Sequence, residues 1–98
     1  MPGDAVSIAP DNYRTVFENE RLRLLEYNGG PGAKTEMHYH PDIMAYALTD
    51  GKFRFALENG QTIEAELKSG VAMFMDGHSH ATENIGDTNA RILLEELK

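Results

Sequence analysis

The chain has 98 residues, with 16 acidic against 9 basic side chains, a net charge of −7 and no cysteine. That length makes one domain. The charge argues against nucleic acid, whose binding rests on basic side chains neutralising phosphate, and against an anionic membrane surface. Without cysteine there is no disulfide framework, no thiolate nucleophile and no sulfur-rich zinc site. No apolar run reaches the roughly 18 residues that a membrane span needs. The opening Met1-Pro2-Gly3-Asp4 lacks the basic start and apolar run of a signal peptide. A soluble cytoplasmic protein is expected.

Residues 1–12 carry Pro2, Gly3, Pro10, Asp11 and Asn12 and are expected to form an N-terminal arm with at most a short strand over Val6-Ser7-Ile8. Residues 13–98 then make the folded domain. Tyr13 to Glu18 alternates weakly; Arg21 to Tyr27 alternates well, with Leu22 and Leu24 facing one way and Arg21 and Arg23 the other. Asn28-Gly29-Gly30-Pro31-Gly32 turns the chain. Lys34 to His40 and Ile43 to Thr49 predict two strands, and Asp50-Gly51 is a hairpin signal. Lys52 to Glu58 sets Phe53, Phe55 and Leu57 on one face and Lys52 and Arg54 on the outer one. After the hairpin signal Asn59-Gly60, Thr62 to Lys68 turns Ile63, Ala65 and Leu67 inward. Val71 to Met75 is apolar enough to be buried on both faces, Ser79 to Ile85 predicts a strand, and Ala90 to Leu97 is read as a strand for at least its first half. About nine or ten short strands, broken by glycine-containing turns and with no long helical period, predict an all-β sandwich or barrel.

The chemistry-bearing residues are the histidines. His38 and His40 lie one residue apart in a predicted strand, so both imidazoles point to one face. Pro41 holds His40 in extended backbone. The other two histidines repeat the spacing at His78 and His80, which suggests that the two segments meet. Neutral imidazole is the commonest protein ligand for divalent transition metals.

With these strands and pairs in place the chain resembles a cupin, a small jelly-roll barrel with two sequence motifs and a metal inside. Gly32, then five residues, then His38-Tyr39-His40, with Gly51 at the end, matches the first motif. Counting back six from Gly51 sets the motif's glutamate at Met44, so that ligand is missing. Gly70, Gly77, His80 and Asn84 match the second motif in order, with Met75 in place of its proline and a strand one residue shorter than the pattern. The resemblance spans roughly residues 20–97. It implies a cupin-type jelly-roll β-barrel with His38, His40 and His80 as ligands of one divalent ion: Fe, Zn, Ni, Mn or Cu.

Four residues stand near as further ligands or supports. Met44 is a thioether that suits Cu(I) better than Mn(II) or Fe(II), and its expected place is the barrel lining. Glu36 shares the face of His38, about 7 Å along the strand, and is expected at the barrel mouth or behind the ligands. His78 is placed in the turn. Asn84, with Thr82, shares the His80 face and can orient a ligand. Asp42 and Asp76 are expected in solvent. Met37, Met44, Met73, Met75, Phe53, Phe55 and Tyr46 are the apolar residues available to line a pocket.

By resemblance, dioxygenase-like chemistry on a small organic anion is one reading. The other is a non-catalytic module whose metal senses, stores or braces. Few residues are left outside the barrel to build a lid. Small cupins usually dimerise, and the arm with Val6 and Ile8 is a plausible strand to lend to a partner, so a homodimer is expected, with a small-molecule ligand and neither nucleic acid nor membrane as partner.

Overall fold

The structure is a computed structural model, and it describes residues 3–98. Met1 and Pro2, part of the opening used above to argue against a signal peptide, lie outside the described residues. One helical turn, α1 (Ala5–Ile8), precedes nine strands: β1 (Tyr13–Glu18), β2 (Leu22–Gly29), β3 (His38–His40), β4 (Ile43–Ala47), β5 (Gly51–Leu57), β6 (Thr62–Leu67), β7 (Ala72–Met75), β8 (His78–Asn84) and β9 (Ala90–Leu97). They form a five-stranded sheet in the order β1-β2-β9-β4-β7 and a four-stranded sheet in the order β3-β8-β5-β6. The paired strands run antiparallel throughout.

This is an all-β jelly roll, as expected, but its two sheets face each other without closing into a barrel. The Asn59-Gly60 signal does make a hairpin: β5 pairs β6, and Gly60 takes a φ of +86°, which glycine adopts without the Cβ clash other residues meet. The Asp50-Gly51 signal does not. β4 and β5 lie in different sheets, so this turn carries the chain across the sandwich.

Alternation decides what is inside. On β4, Ile43, Ala45 and Ala47 are buried while Met44 and Tyr46 are exposed. On β9, Ala90, Ile92, Leu94 and Glu96 form the buried set. Tyr13, Leu25, Tyr27, Phe53 and Leu67 join them in the core, in which Tyr27 packs edge-on against both Tyr13 and Phe53. β7 is an edge strand with Ala72 and Phe74 exposed, so Val71 to Met75 is not buried on both faces. Ile63, expected inward, is half exposed near the β5–β6 hairpin.

The N-terminal arm differs most. Val6-Ser7-Ile8 belongs to a helical turn, not a strand, and Ala5 is fully buried. Gly3 accepts a hydrogen bond from the Tyr39 amide at 2.8 Å, and Asp4 bridges Tyr39. Among the described residues the arm is folded onto its own chain and holds no strand.

Candidate metal centre

β3 and β8 make the site. Their register sets His38 opposite His80 and His40 opposite His78. Opposed residues of an antiparallel pair share a face, so all four imidazoles lie on the inner face of one ribbon. The loops behind them are joined: the Asp42 carboxylate accepts the Gly77 amide at 2.8 Å, tying the turn after His40 to the turn before His78. The strand carrying His38 and His40 is shorter than expected, because Lys34 makes only an isolated bridge to Glu83.

One ring nitrogen from each of His38, His40 and His80 lies within 4.8 Å of the others, and all three residues are buried. The partners of the other ring nitrogens determine which atoms are free. His38 Nδ1 lies 2.8 Å from the Glu36 carbonyl oxygen, which only accepts, so Nδ1 carries the proton. His40 Nδ1 lies 2.9 Å from Glu96 Oε2 and likewise donates. His78 Nδ1 donates to the Asp76 carbonyl at 2.8 Å, so in neutral His78 Nε2 is an acceptor. His80 Nδ1, 2.8 Å from that nitrogen, must then donate. Three imidazoles are thus held as the Nδ1–H tautomer with the Nε2 lone pair unused. Two of these lone pairs, on His38 and His40, are buried without any hydrogen-bond partner. Leaving such acceptors unmet costs about 1–3 kcal/mol each, and a cation between them removes the deficit. The donor set therefore fits a divalent transition metal, with the outer hydrogen bonds that metal-binding histidines characteristically make.

Burial also favours the uncharged form of His38 and His80. Desolvation lowers the His38 pKa from 6.5 to about 4, against a raising contribution from the Glu36 carbonyl. Desolvation, and then the neighbouring rings of His40, His38 and His78, lower His80 to about 2. No proton has to leave these nitrogens for ligation at neutral pH. The same shifts predict acid lability of the metal-free protein. The unfolded chain takes up protons near 6.5 while folded His38 resists until about 4. Stability is therefore full above the unfolded value and is lost as pH falls from there towards 4. The urea midpoint at pH 4.5 should lie below that at pH 7, and His80→Leu should narrow the gap. Equal midpoints would contradict the burial of neutral rings.

The other foreseen residues stand elsewhere. Met44 points outward, 39% exposed, and neither binds at the site nor lines the interior, because the phase of β4 turns Ala45 inward instead. The Glu36 side chain is exposed, and only its backbone carbonyl serves the site. His78 opens β8 and backs His80 as hydrogen-bond partner. Asn84 is buried but faces its own loops: its amide donates to the Gly29 and Thr88 carbonyls and its oxygen accepts from Gly86, so it clamps the fold.

Three residues at the site were not foreseen. Glu96 is buried and bonded to His40; its signal was a charged residue in phase with the apolar Ile92 and Leu94. Arg23 reaches Glu96 from β2, on the same inward phase as Leu25 and Tyr27. Tyr13 packs edge-on against His38 at 5.0 Å and His40 at 5.8 Å, and burial pushes its phenol well above the ordinary range. Beside His40 and His80 lies a cavity of about 40 Å³, walled mainly by apolar side chains such as Phe55, Met73 and Met75. Of the expected pocket residues Phe53, Phe55, Met73 and Met75 line it, whereas Tyr46, like Met44, is on the outer surface.

No family model and no curated protein matches the chain. Solved structures do. A cupin domain from Bordetella pertussis Tohama I superposes with a TM-score of 0.81 at 25% identity, covering 99% of this chain and 95% of that one. A cupin superfamily protein from Desulfitobacterium hafniense DCB-2 gives 0.64 at 15% identity over 87% and 74%. The polyketide cyclase RemF from Streptomyces resistomycificus gives 0.63 at 24% identity over 87% and 63%.

Proposed function

The chain is a small cupin-superfamily domain, and we propose that it binds one divalent transition-metal ion through His38, His40 and His80. The observation that carries this reading is the shared tautomer: three Nδ1 protons are tied to other partners, three Nε2 lone pairs are left free, and one ring nitrogen of each of these buried histidines lies within 4.8 Å of the others. No carboxylate completes the set, since Glu96 is held by Arg23 and His40 and Glu36 is exposed. An ion with three protein ligands keeps open positions and can polarise a bound ligand or activate water as a Lewis acid.

The surrounding residues decide what reaches such a position. A cavity of about 40 Å³ has room for a few water molecules. No lysine or arginine side chain lines it. Dioxygenase-like chemistry on a small organic anion has the three-imidazole set in its favour, but the apolar lining supports a small, weakly polar ligand better than an anion. The non-catalytic alternative, in which the ion senses, stores or braces, rests on the same observation. The test is the metal content of tag-free protein by elemental mass spectrometry. About one ion per chain is expected in wild type, and none in His40→Ala. Wild type that stays metal-free after reconstitution would end this reading. Oxygen uptake by the loaded protein then separates enzyme from binder.

The expected homodimer is supported by a different surface from the one foreseen. The outer face of the five-stranded sheet exposes Phe17, Met44, Tyr46, Phe74 and Leu97. A monomer by light scattering would remove it.

No helix among the described residues is long and apolar enough to cross a membrane.

A further inference from the structure

We infer that Asp4, Arg23 and Glu96 form a positioning chain for the metal centre, through which the N-terminal turn becomes part of the site. The inference rests on the metal-binding reading above. Glu96 divides its carboxylate: Oε2 lies 2.9 Å from His40 Nδ1, while Oε1 accepts from Arg23 Nε at 3.0 Å and Nη2 at 2.7 Å. Arg23 Nη2 is also 2.7 Å from Asp4 Oδ2. The side chains are 4% exposed at Glu96, 18% at Arg23 and 33% at Asp4, so the chain runs from the buried ligand to the surface.

Two consequences follow from its chemistry. The first is geometric. His40 is held by a carboxylate whose other oxygen takes two hydrogen bonds from one guanidinium, so ring rotation that would misdirect Nε2 breaks charge-assisted bonds. The second is electrostatic. Two carboxylates and one guanidinium sum to a formal charge of −1 beside the three imidazoles. A dication held by imidazole nitrogens in a low-dielectric interior has its field partly balanced by that charge. No carboxylate holds the Nδ1 protons of His38 and His80, which go to a backbone carbonyl and an imidazole. The site is therefore asymmetric, with His40 its charge-supported ligand.

The test uses Co(II) as probe, with dissociation constant and visible d–d spectrum read on wild type, Glu96→Gln and Asp4→Asn. Glu96→Gln keeps the shape and removes the charge, and should weaken Co(II) binding roughly 10–100-fold and shift the d–d bands. A merely structural role would lower the thermal midpoint of the metal-free protein and leave the spectrum unmoved. Asp4→Asn leaves the buried pair intact and should cost roughly two- to fivefold, by loss of charge and of the clamp on Arg23; it keeps the question answerable if Glu96→Gln does not fold. Wild-type affinity and spectrum in both variants would overturn the positioning chain while leaving the metal site standing. Absence of Co(II) binding by wild type would instead overturn the metal reading and this inference with it.

Discussion

His38→Leu is expected to abolish the stabilisation that metal gives the protein while leaving the metal-free protein at least as stable as wild type. His38 is fully buried, and its Nε2 has no partner. Leucine removes an acceptor whose burial costs about 1–3 kcal/mol and loses one part-buried hydrogen bond, to the Glu36 carbonyl, worth about 1 kcal/mol. The metal-free balance is therefore near zero or slightly favourable. Binding shows the opposite effect. Ligand at a thousand times its dissociation constant stabilises by about 4 kcal/mol, which in a domain of this size raises the thermal midpoint by roughly 15–30 °C. Wild type should show this rise with its metal and His38→Leu should show none. A variant that keeps the rise would take His38 out of the site. A variant that cannot fold without metal would mean that the imidazole's packing against Tyr13 outweighs its unpaired nitrogen.

The second expected result separates two neighbouring positions. Counting along the motif sets a carboxylate ligand at Met44, but that side chain is on the outer surface. Ala45 is 3% exposed and lines the same cavity as His40 and His80. Ala45→Glu should therefore bring a carboxylate to the histidines, whereas Met44→Glu should leave metal affinity unchanged. In the metal-free protein the new group is a buried acid without a partner; it is expected to lower the thermal midpoint and to titrate well above the ordinary carboxylate range. With Mn(II) or Fe(II) present it becomes a hard anionic ligand, and affinity should rise by an order of magnitude or more, about 1.4 kcal/mol for each tenfold. Equal behaviour of the two variants in calorimetric titration would show that the inward phase of β4 does not decide access to the site.

The comparison of these positions shows how far a reading of the chain reaches. Period-two alternation placed eight of the nine strands close to their bounds, because a strand with one face buried must alternate. It left the face itself open. In β2 the separation of Leu22 and Leu24 from Arg23 was legible, but not that the arginine side is the inner one. Glu96 hid for the same reason: a glutamate near the end of the chain reads as solvated until a buried arginine and histidine are found opposite it. Val6-Ser7-Ile8 has strand-like residues, yet Ala5 packs into the core and draws the segment into a helical turn.

The sequence by itself determined that this chain is all-β and carries no cysteine, and that its histidines come as two pairs at strand spacing. Those properties follow from composition and from local periodicity, which the neighbouring residues alone dictate. The tertiary structure decided the rest: the opposition of His38 to His80, the common tautomer, the outward turn of Met44 and the chain from Asp4 to His40. Each of these depends on which strands lie side by side and in what register. A shift of one residue would have turned every one of those side chains to the other face.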